Sequence, residues 1–407
     1  MKAIVSIGAR FTAVLKVAEH LDRIGSLERL ITFTPRYRLG NVSVAESRLV
    51  TLPWLGAANH ASRYMSRGLQ LHAIRWIVNA FDWQVSRRIR ECDVFYGWSG
   101  AALQSMRKAK SRGARTVVGT GSAHIRYQKA IVEAEYAKFG VRKVSTHSSA
   151  VEKAQKEFEE ADGIIVPSEF SRRTMLENGI SPEKVRVIPE PLTRRFQLTA
   201  RDDSVFRIVV VGTVSLRKGA QYVLEAASRL KLPNSEVVLV GPVVTDEFQP
   251  VLKRYEGEFV LAGPVSEAEL ARYLSRASVL VLASVEDGWG HVALEAMSCG
   301  LPVIVSVNTG SAEMVEDGVN GFVVPVCDAA AIMEKLEYLY LSPEACREMG
   351  ARNRALVLDR TWTNYSEDVV QFFNGMIKGG EDAFSQATRK AIRLNLERPA
   401  EPGASAC

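Results

Sequence analysis

Short, continuous apolar runs alternate with longer amphipathic stretches along most of the chain. The first run, residues 2–7, ends at Gly8 and is followed by helical periodicity over 12–23. Further runs lie at 30–34, 48–52, 93–96, 116–119, 163–167 and 185–189. Between them, residues 59–91, 100–111 and 149–160 have helical spacing, and Ser168 reads as the N-cap of a helix holding Arg172 and Arg173. Residues 193–204 are polar and aperiodic, which marks a linker. A second series then begins, with runs at 206–211, 236–240, 258–261, 279–282, 303–305 and 321–324. Helical stretches separate these, notably 219–230, 267–276, 291–299, 310–316 and 328–341. Val/Ile/Leu strands between helical periods imply parallel sheets covered on both faces. The chain is therefore expected to be α/β, with two Rossmann-like, doubly wound domains at 1–192 and 205–360. Helices at 343–357 and 363–377 close it, the last packing back on the first domain, and 379–407 reads as a flexible tail.

Composition supports this size of fold. The 407 residues are 47% hydrophobic and 24% charged, enough to bury two ordinary cores. No run reaches the roughly 20 apolar residues of a membrane-crossing helix. Arg10 and Lys16 interrupt the opening run and no cleavage pattern follows, so it reads as a strand and not as a signal peptide. The five cysteines lack zinc or redox spacing, which suggests reduced thiols in a cytoplasmic protein, and the six scattered histidines suggest no metal site.

Charge adds an asymmetry. Residues 1–200 hold 32 Lys+Arg against 18 Asp+Glu, net +14, whereas 201–407 hold 20 against 28, net −8. The basic half suits an anionic partner such as membrane lipid, nucleic acid or glycan, or is simply a solvated surface. Residues 59–91 set Arg63, Arg67, Arg75, Arg87, Arg88 and Arg90 among Leu69, Leu71, Ile74, Trp76, Ile77 and Phe81. That stretch is either a docking surface for an anionic inner membrane leaflet or a core helix with solvated arginines.

Candidate chemistry falls at three strand ends. Gly212-Thr213-Val214-Ser215-Leu216-Arg217-Lys218-Gly219 leads from a strand into a helix and offers two cations to a diphosphate, or is a glycine turn with two solvated bases. Glu286-Asp287-Gly288-Trp289-Gly290-His291 opens the helix that carries Glu295. Asp287 in the loop and Glu295 one turn into the helix suit hydroxyls at opposite ends of a nucleotide sugar, although either also suits a turn or surface acid. Thr309-Gly310-Ser311 offers amides at a further helix start. A dinucleotide fingerprint is missing after Gly8 and after Gly212, which argues against a nicotinamide-dependent oxidoreductase.

In this order the motifs resemble the retaining family 4 glycosyltransferases of GT-B fold. The resemblance rests on the Gly212–Gly219 loop, the Asp287 to Glu295 pair around Gly288 and Gly290, Gly300-Leu301-Pro302-Val303-Ile304, and the Gly310 to Gly321 closing motif. Ala161-Asp162-Gly163-Ile164-Ile165-Val166-Pro167-Ser168 matches the family's segment before the linker. The resemblance implies a hexosyltransferase-type enzyme of cell-envelope polysaccharide biosynthesis. It would move a sugar from a nucleotide diphosphate donor to a glycan, lipid-linked or small-molecule acceptor, with retention, in a cleft between the domains. It implies no metal, no other cofactor and no nucleic-acid partner, and allows peripheral contact with an anionic membrane. A non-catalytic nucleotide- or glycan-binding relative is the alternative. Arg217 and Lys218 would hold the diphosphate, Glu295 the ribose, and Asp287 the sugar, near the amides of Trp289, Gly290 and His291. His124 would sit by the reacting sugar, or be structural, and Gly8, Ala9 and Arg10 would line the cleft. The sequence departs from the pattern in Asp287 for the usual Glu, Thr213 for Arg, and Pro189-Glu190-Pro191 before the linker.

Overall fold

The computed structural model describes residues 1–8, 11–40, 42–62, 64–65, 67–141, 145–196, 203–357 and 361–378. Ala9, Arg10, much of the expected linker and the tail from 379 lie outside them. The first sheet contains β1 (Ala3–Ile7), β2 (Leu27–Thr32), β3 (Leu49–Thr51), β4 (Val94–Trp98), β5 (Arg115–Gly119), β6 (Gly163–Val166) and β7 (Val185–Val187). Its helices are α1 (Thr12–Arg23), α2 (Pro53–Ser62), α3 (Arg67–Ser86), α4 (Leu103–Lys110), α5 (Ile125–Lys138), α6 (Ser148–Glu160) and α7 (Glu169–Glu177). The second sheet contains β8 (Phe206–Val211), β9 (Ser235–Val240), β10 (Val260–Gly263), β11 (Val279–Leu282), β12 (Val303–Ser306) and β13 (Gly321–Val324). With it come α8 (Ala220–Leu230), α9 (Thr245–Arg254), α10 (Glu267–Arg276), α11 (His291–Ser298), α12 (Ala329–Leu341) and α13 (Pro343–Leu356).

Both sheets are parallel throughout, in the orders β3-β2-β1-β4-β5-β6-β7 and β10-β9-β8-β11-β12-β13. Each is doubly wound, so the order reverses beside β1 in one lobe and beside β8 in the other. Loops leaving the carboxyl ends of strands at that reversal have room to hold a ligand. The central strands are apolar on both faces, as helices on both sides require: Ile4, Val5, Val209, Leu280 and Val281 are buried. The final helix, α14 (Trp362–Lys378), returns to the first lobe, where Tyr365, Val369 and Phe373 join the core of α1 and β1.

The structure departs from the sequence reading in four places. The stretch 59–91 is divided between the end of α2 and α3, which stops at Ser86. Residues 310–316 form only a 3-10 turn, Gly310–Met314. Helix α9 is unexpected because Pro250 sits inside it and removes a backbone donor there. Helix α5 is unexpected because its apolar residues are divided between two lobes. It follows β5 of the first sheet, yet Val132 and Tyr136 are buried in the core of the second lobe. A helix gripped on opposite sides shows no single apolar stripe.

One glycine fixes how the second sheet meets its first loop. Gly219 has φ 73°, and a Cβ there would stand 1.7 Å from the Ala283 carbonyl oxygen. Gly219→Ala is expected to lose more than about 2 kcal/mol, combining left-handed strain with a backbone clash. Urea denaturation with an unchanged slope checks this.

Candidate active site

The basic turn and the acidic loop meet at the carboxyl ends of the adjacent strands β8 and β11. After β8 the chain turns through Gly212 (φ 128°) into a 3-10 turn, Leu216–Lys218. Arg217 Nη1 donates to Glu286 Oε2 at 2.8 Å and to the Glu286 carbonyl at 3.1 Å. Lys218 pairs with Asp287. The Val285 N–H donates back to the Arg217 carbonyl at 2.9 Å, so turn and loop are fixed to each other through backbone as well as side chains.

Glu286 is fully buried and also accepts from the first lobe: the Ala123 N–H at 3.0 Å and Gln128 Nε2 at 2.8 Å. One carboxylate thus ties the cation turn to the loop after β5. Burial works to raise Asp287, but the charges of Lys218 and Arg217 outweigh it and hold the carboxyl below its ordinary value. Asp287 remains an anion at neutral pH.

The charged chain continues along α11. His291 Nε2 lies 3.1 Å from Glu190 Oε2, and its Nδ1 lies 3.0 Å from Thr193 Oγ1. Burial acts to lower this imidazole, but the bond to Glu190 wins and the net shift is upward. Glu295, one turn further on and buried, accepts both arms of the Arg194 guanidinium, at 2.7 and 2.8 Å. Burial raises its carboxyl, opposed by Arg194. The planar fork of Arg194 thus supplies two parallel donors to one carboxylate.

The Thr309-Gly310-Ser311 turn plays another part than expected. The Thr309 N–H donates to the Ser306 carbonyl at 3.0 Å, and the other two are consumed by the acidic loop: Gly310 donates to the Asp287 carbonyl at 2.9 Å and Ser311 to the Trp289 carbonyl at 2.6 Å. It is a brace for the acidic loop, and those amides do not face a ligand. The same bracing explains Gly290 (φ 80°), where a Cβ would meet Thr309 and Ser311 within 3 Å.

The remaining expected residues fall as follows. Gly288 presses against the Gly121 carbonyl and Ser122 of the first lobe, and Ser168 Oγ donates to the Gly288 carbonyl at 2.8 Å. The Trp289 side chain is buried in the second-lobe core. Thr213 is exposed beside Gly212. Gly8 ends β1 against the Phe33 ring. The His124 ring caps α5, its Nδ1 accepting from the Arg126 N–H at 3.3 Å, and packs 5.4 Å from Phe158. This leaves the proton on Nε2, which is buried with no partner among the described residues. Burial, aided by Arg126, lowers the imidazole to about 4, so it is neutral at pH 7. Sequence reasoning passes over Arg194, Glu190 and Gln128. Arg194 and Glu190 flank the Pro191 break, which is the one available signal.

Two cations, their carboxylate partners and the N-terminus of α11 thus converge on one reversal point, where positive charge and backbone dipoles favour an anionic group. The family of glycosyl transferases group 1 matches residues 193–356, which span both motifs. The second lobe is a glycosyl transferases group 1 domain. Among relatives of this domain, the capsular polysaccharide biosynthesis glycosyltransferase CapM of Staphylococcus aureus is 26% identical over 212 residues, covering 50% of this chain and 54% of that one. The alpha-maltose-1-phosphate synthase of Mycolicibacterium smegmatis is 26% identical over 247 residues, covering 53% of this chain and 63% of that one. The chain therefore spans a little over half the length of these curated relatives. The structure of Anabaena Alr3699/HepE with UDP-glucose covers 92% of this chain and all of its own, with TM-score 0.65 at 14% identity. That likeness spans both lobes and shows the fold, which is GT-B.

Proposed function

We propose that the protein is a retaining, family 4 type glycosyltransferase that transfers a sugar from a nucleotide diphosphate donor to a glycan or lipid-linked acceptor. The observation that carries this reading is the pairing of Arg217 with Glu286 and of Lys218 with Asp287 at the mouth of α11. In transfer, the bond from the anomeric carbon to the diphosphate oxygen breaks, and the acceptor hydroxyl attacks from the same face and gives its proton to that departing oxygen. Charge accumulates on the departing diphosphate, where Lys218, Arg217 and the α11 N-terminus stabilise it in a site fixed in advance. Asp287, held anionic, is set to hold sugar hydroxyls, and Glu295 to exchange Arg194 for the ribose. Metal independence follows on this reading, because two side-chain cations cover the leaving group. Contact between the lobes excludes water and limits donor hydrolysis. The protein is placed on the cytoplasmic side of the envelope, in the synthesis of cell-surface polysaccharide. In keeping with this, CapM is named for capsular polysaccharide biosynthesis and the HepE structure contains UDP-glucose.

The test is incubation with UDP-, GDP- and dTDP-sugars, with and without EDTA, monitoring nucleoside diphosphate release and the anomeric proton of the product by NMR. Release unaffected by EDTA, with the donor's configuration kept, is expected. No release from any donor, or an inverted product, overturns the proposal.

His124→Asn separates the two roles open to that residue. The asparagine oxygen keeps the cap on α5, and the Nε2–H is lost. The expected outcome is an unchanged melting temperature with turnover down roughly 10²–10³-fold, a loss typical of one hydrogen bond made in the transition state. Unchanged turnover leaves His124 a capping residue only.

A further inference from the structure

We propose that the α2–α3 face of the first lobe docks on an anionic lipid surface. Residues 53–88 contain Asp82 as their only acid. Asp82 is fully buried, where it receives Lys153 at 2.9 Å and the Gln104 and Ser105 N–H groups at the start of α4. The outward side of α3 thus has no negative charge. Its inward side is a normal core stripe of Ile77, Phe81 and Val85.

The outward side breaks the usual rule for a solvated helix. Leu69, Trp76 and Trp83 recur every seven residues and are 62%, 57% and 45% exposed. Seven residues is close to two turns, so the three share one line, which Arg87 continues with its guanidinium 4.9 Å over the Trp83 ring. The line from Leu69 to Arg87 runs about 27 Å. Trp54, 47% exposed on α2, stands 6.1 Å from Trp76 and widens the apolar strip.

Tryptophan beside arginine, without acids, matches the water–lipid boundary of an anionic membrane. Indole is favoured at headgroup depth, and arginine is drawn to the negative leaflet. No helix among the described residues is long and apolar enough to cross a membrane, so the contact is one of surface. The position of the face fits this role: α2 packs through Gly56 on the Phe33 carbonyl, just past the carboxyl end of β2, which is the cleft side of the lobe. A membrane beneath α2 and α3 lies beside the cleft, within reach of a lipid-linked acceptor. Docking rests on this surface alone and not on the transferase reading.

The experiment is co-sedimentation of the full chain with vesicles of phosphatidylcholine alone or mixed with phosphatidylglycerol, together with tryptophan emission. Sedimentation at least about tenfold stronger with the anionic vesicles, weakened by salt and accompanied by a blue shift, is expected. Trp76→Ala with Trp83→Ala should abolish the blue shift, and Arg75→Glu with Arg87→Glu the preference for anionic lipid. In both variants nucleotide release with a water-soluble acceptor should be unchanged. Equal sedimentation with both vesicle types overturns the proposal, as does light scattering showing a dimer in buffer that the tryptophan variant dissociates. Failure to bind vesicles with nucleotide release intact refutes docking and leaves the transferase reading standing.

Discussion

Replacing both cations of the turn, Arg217→Ala with Lys218→Ala, is expected to lower turnover by about 10³-fold or more. On the proposed reading each removes a charge aimed at the leaving diphosphate, and losing one such donor alone commonly costs 10²–10³-fold. The two positions are not equivalent. Lys218 faces Asp287, which keeps some exposure to solvent, so Lys218→Ala should reduce turnover with a smaller loss of stability. Arg217 faces Glu286, which is fully buried, and Arg217→Ala leaves that carboxylate without its cation. Breaking a buried pair in this way costs about 3–5 kcal/mol, so Arg217→Ala should also unfold at lower denaturant. Steady-state kinetics and urea melts on the two single variants distinguish the effects. Lys218→Ala with unchanged turnover would remove the diphosphate assignment.

Gly288→Ala is expected to reduce kcat/KM by at least about 10²-fold with each lobe still folded. A Cβ at Gly288 would lie 2.2 Å from the Gly121 carbonyl oxygen and 2.6 Å from Ser122 Cα, both backbone atoms of the opposite lobe. Neither has a rotamer to escape into, so the lobes must part. A displacement near 1 Å at the reacting centre is enough for this loss. The hydrophobic clusters within the lobes are untouched, and the melting temperature should fall little. Small-angle scattering should show a larger radius of gyration. An unchanged radius with full activity would mean that the contact between Gly288 and Gly121 is not needed for transfer.

Most of the architecture was legible because buried parallel strands are written as uninterrupted Val/Ile/Leu runs. Residues 206–211 and 279–282 coincide with β8 and β11. The loops flanking them were legible too, since glycine is demanded where backbones approach closely. What could not be read was the traffic between lobes. Gln128 and Glu286 are 158 residues apart in sequence yet bonded at 2.8 Å. Arg194 sits in a stretch whose lack of periodicity suggested only a connector, although its guanidinium meets Glu295 across 101 residues. The Thr309-Gly310-Ser311 turn misled for a related reason: a glycine turn has the same sequence whether its amides serve a ligand or a neighbouring loop.

The placement of α5 limits how this protein is to be taken apart. The helix is encoded amid the first sheet, yet it plugs the second lobe with Val132 and Tyr136, and its buried Glu135 receives Tyr222 Oη and Gln221 Nε2, each at 2.7 Å. Severing the chain at the interdomain connection would open the apolar seat of α5 to solvent and take the Glu135 acceptor from Tyr222 and Gln221 in the C-terminal piece. Chimeras that exchange donor specificity between relatives should therefore carry residues 125–138 along with the lobe they plug, although the chain order places them elsewhere.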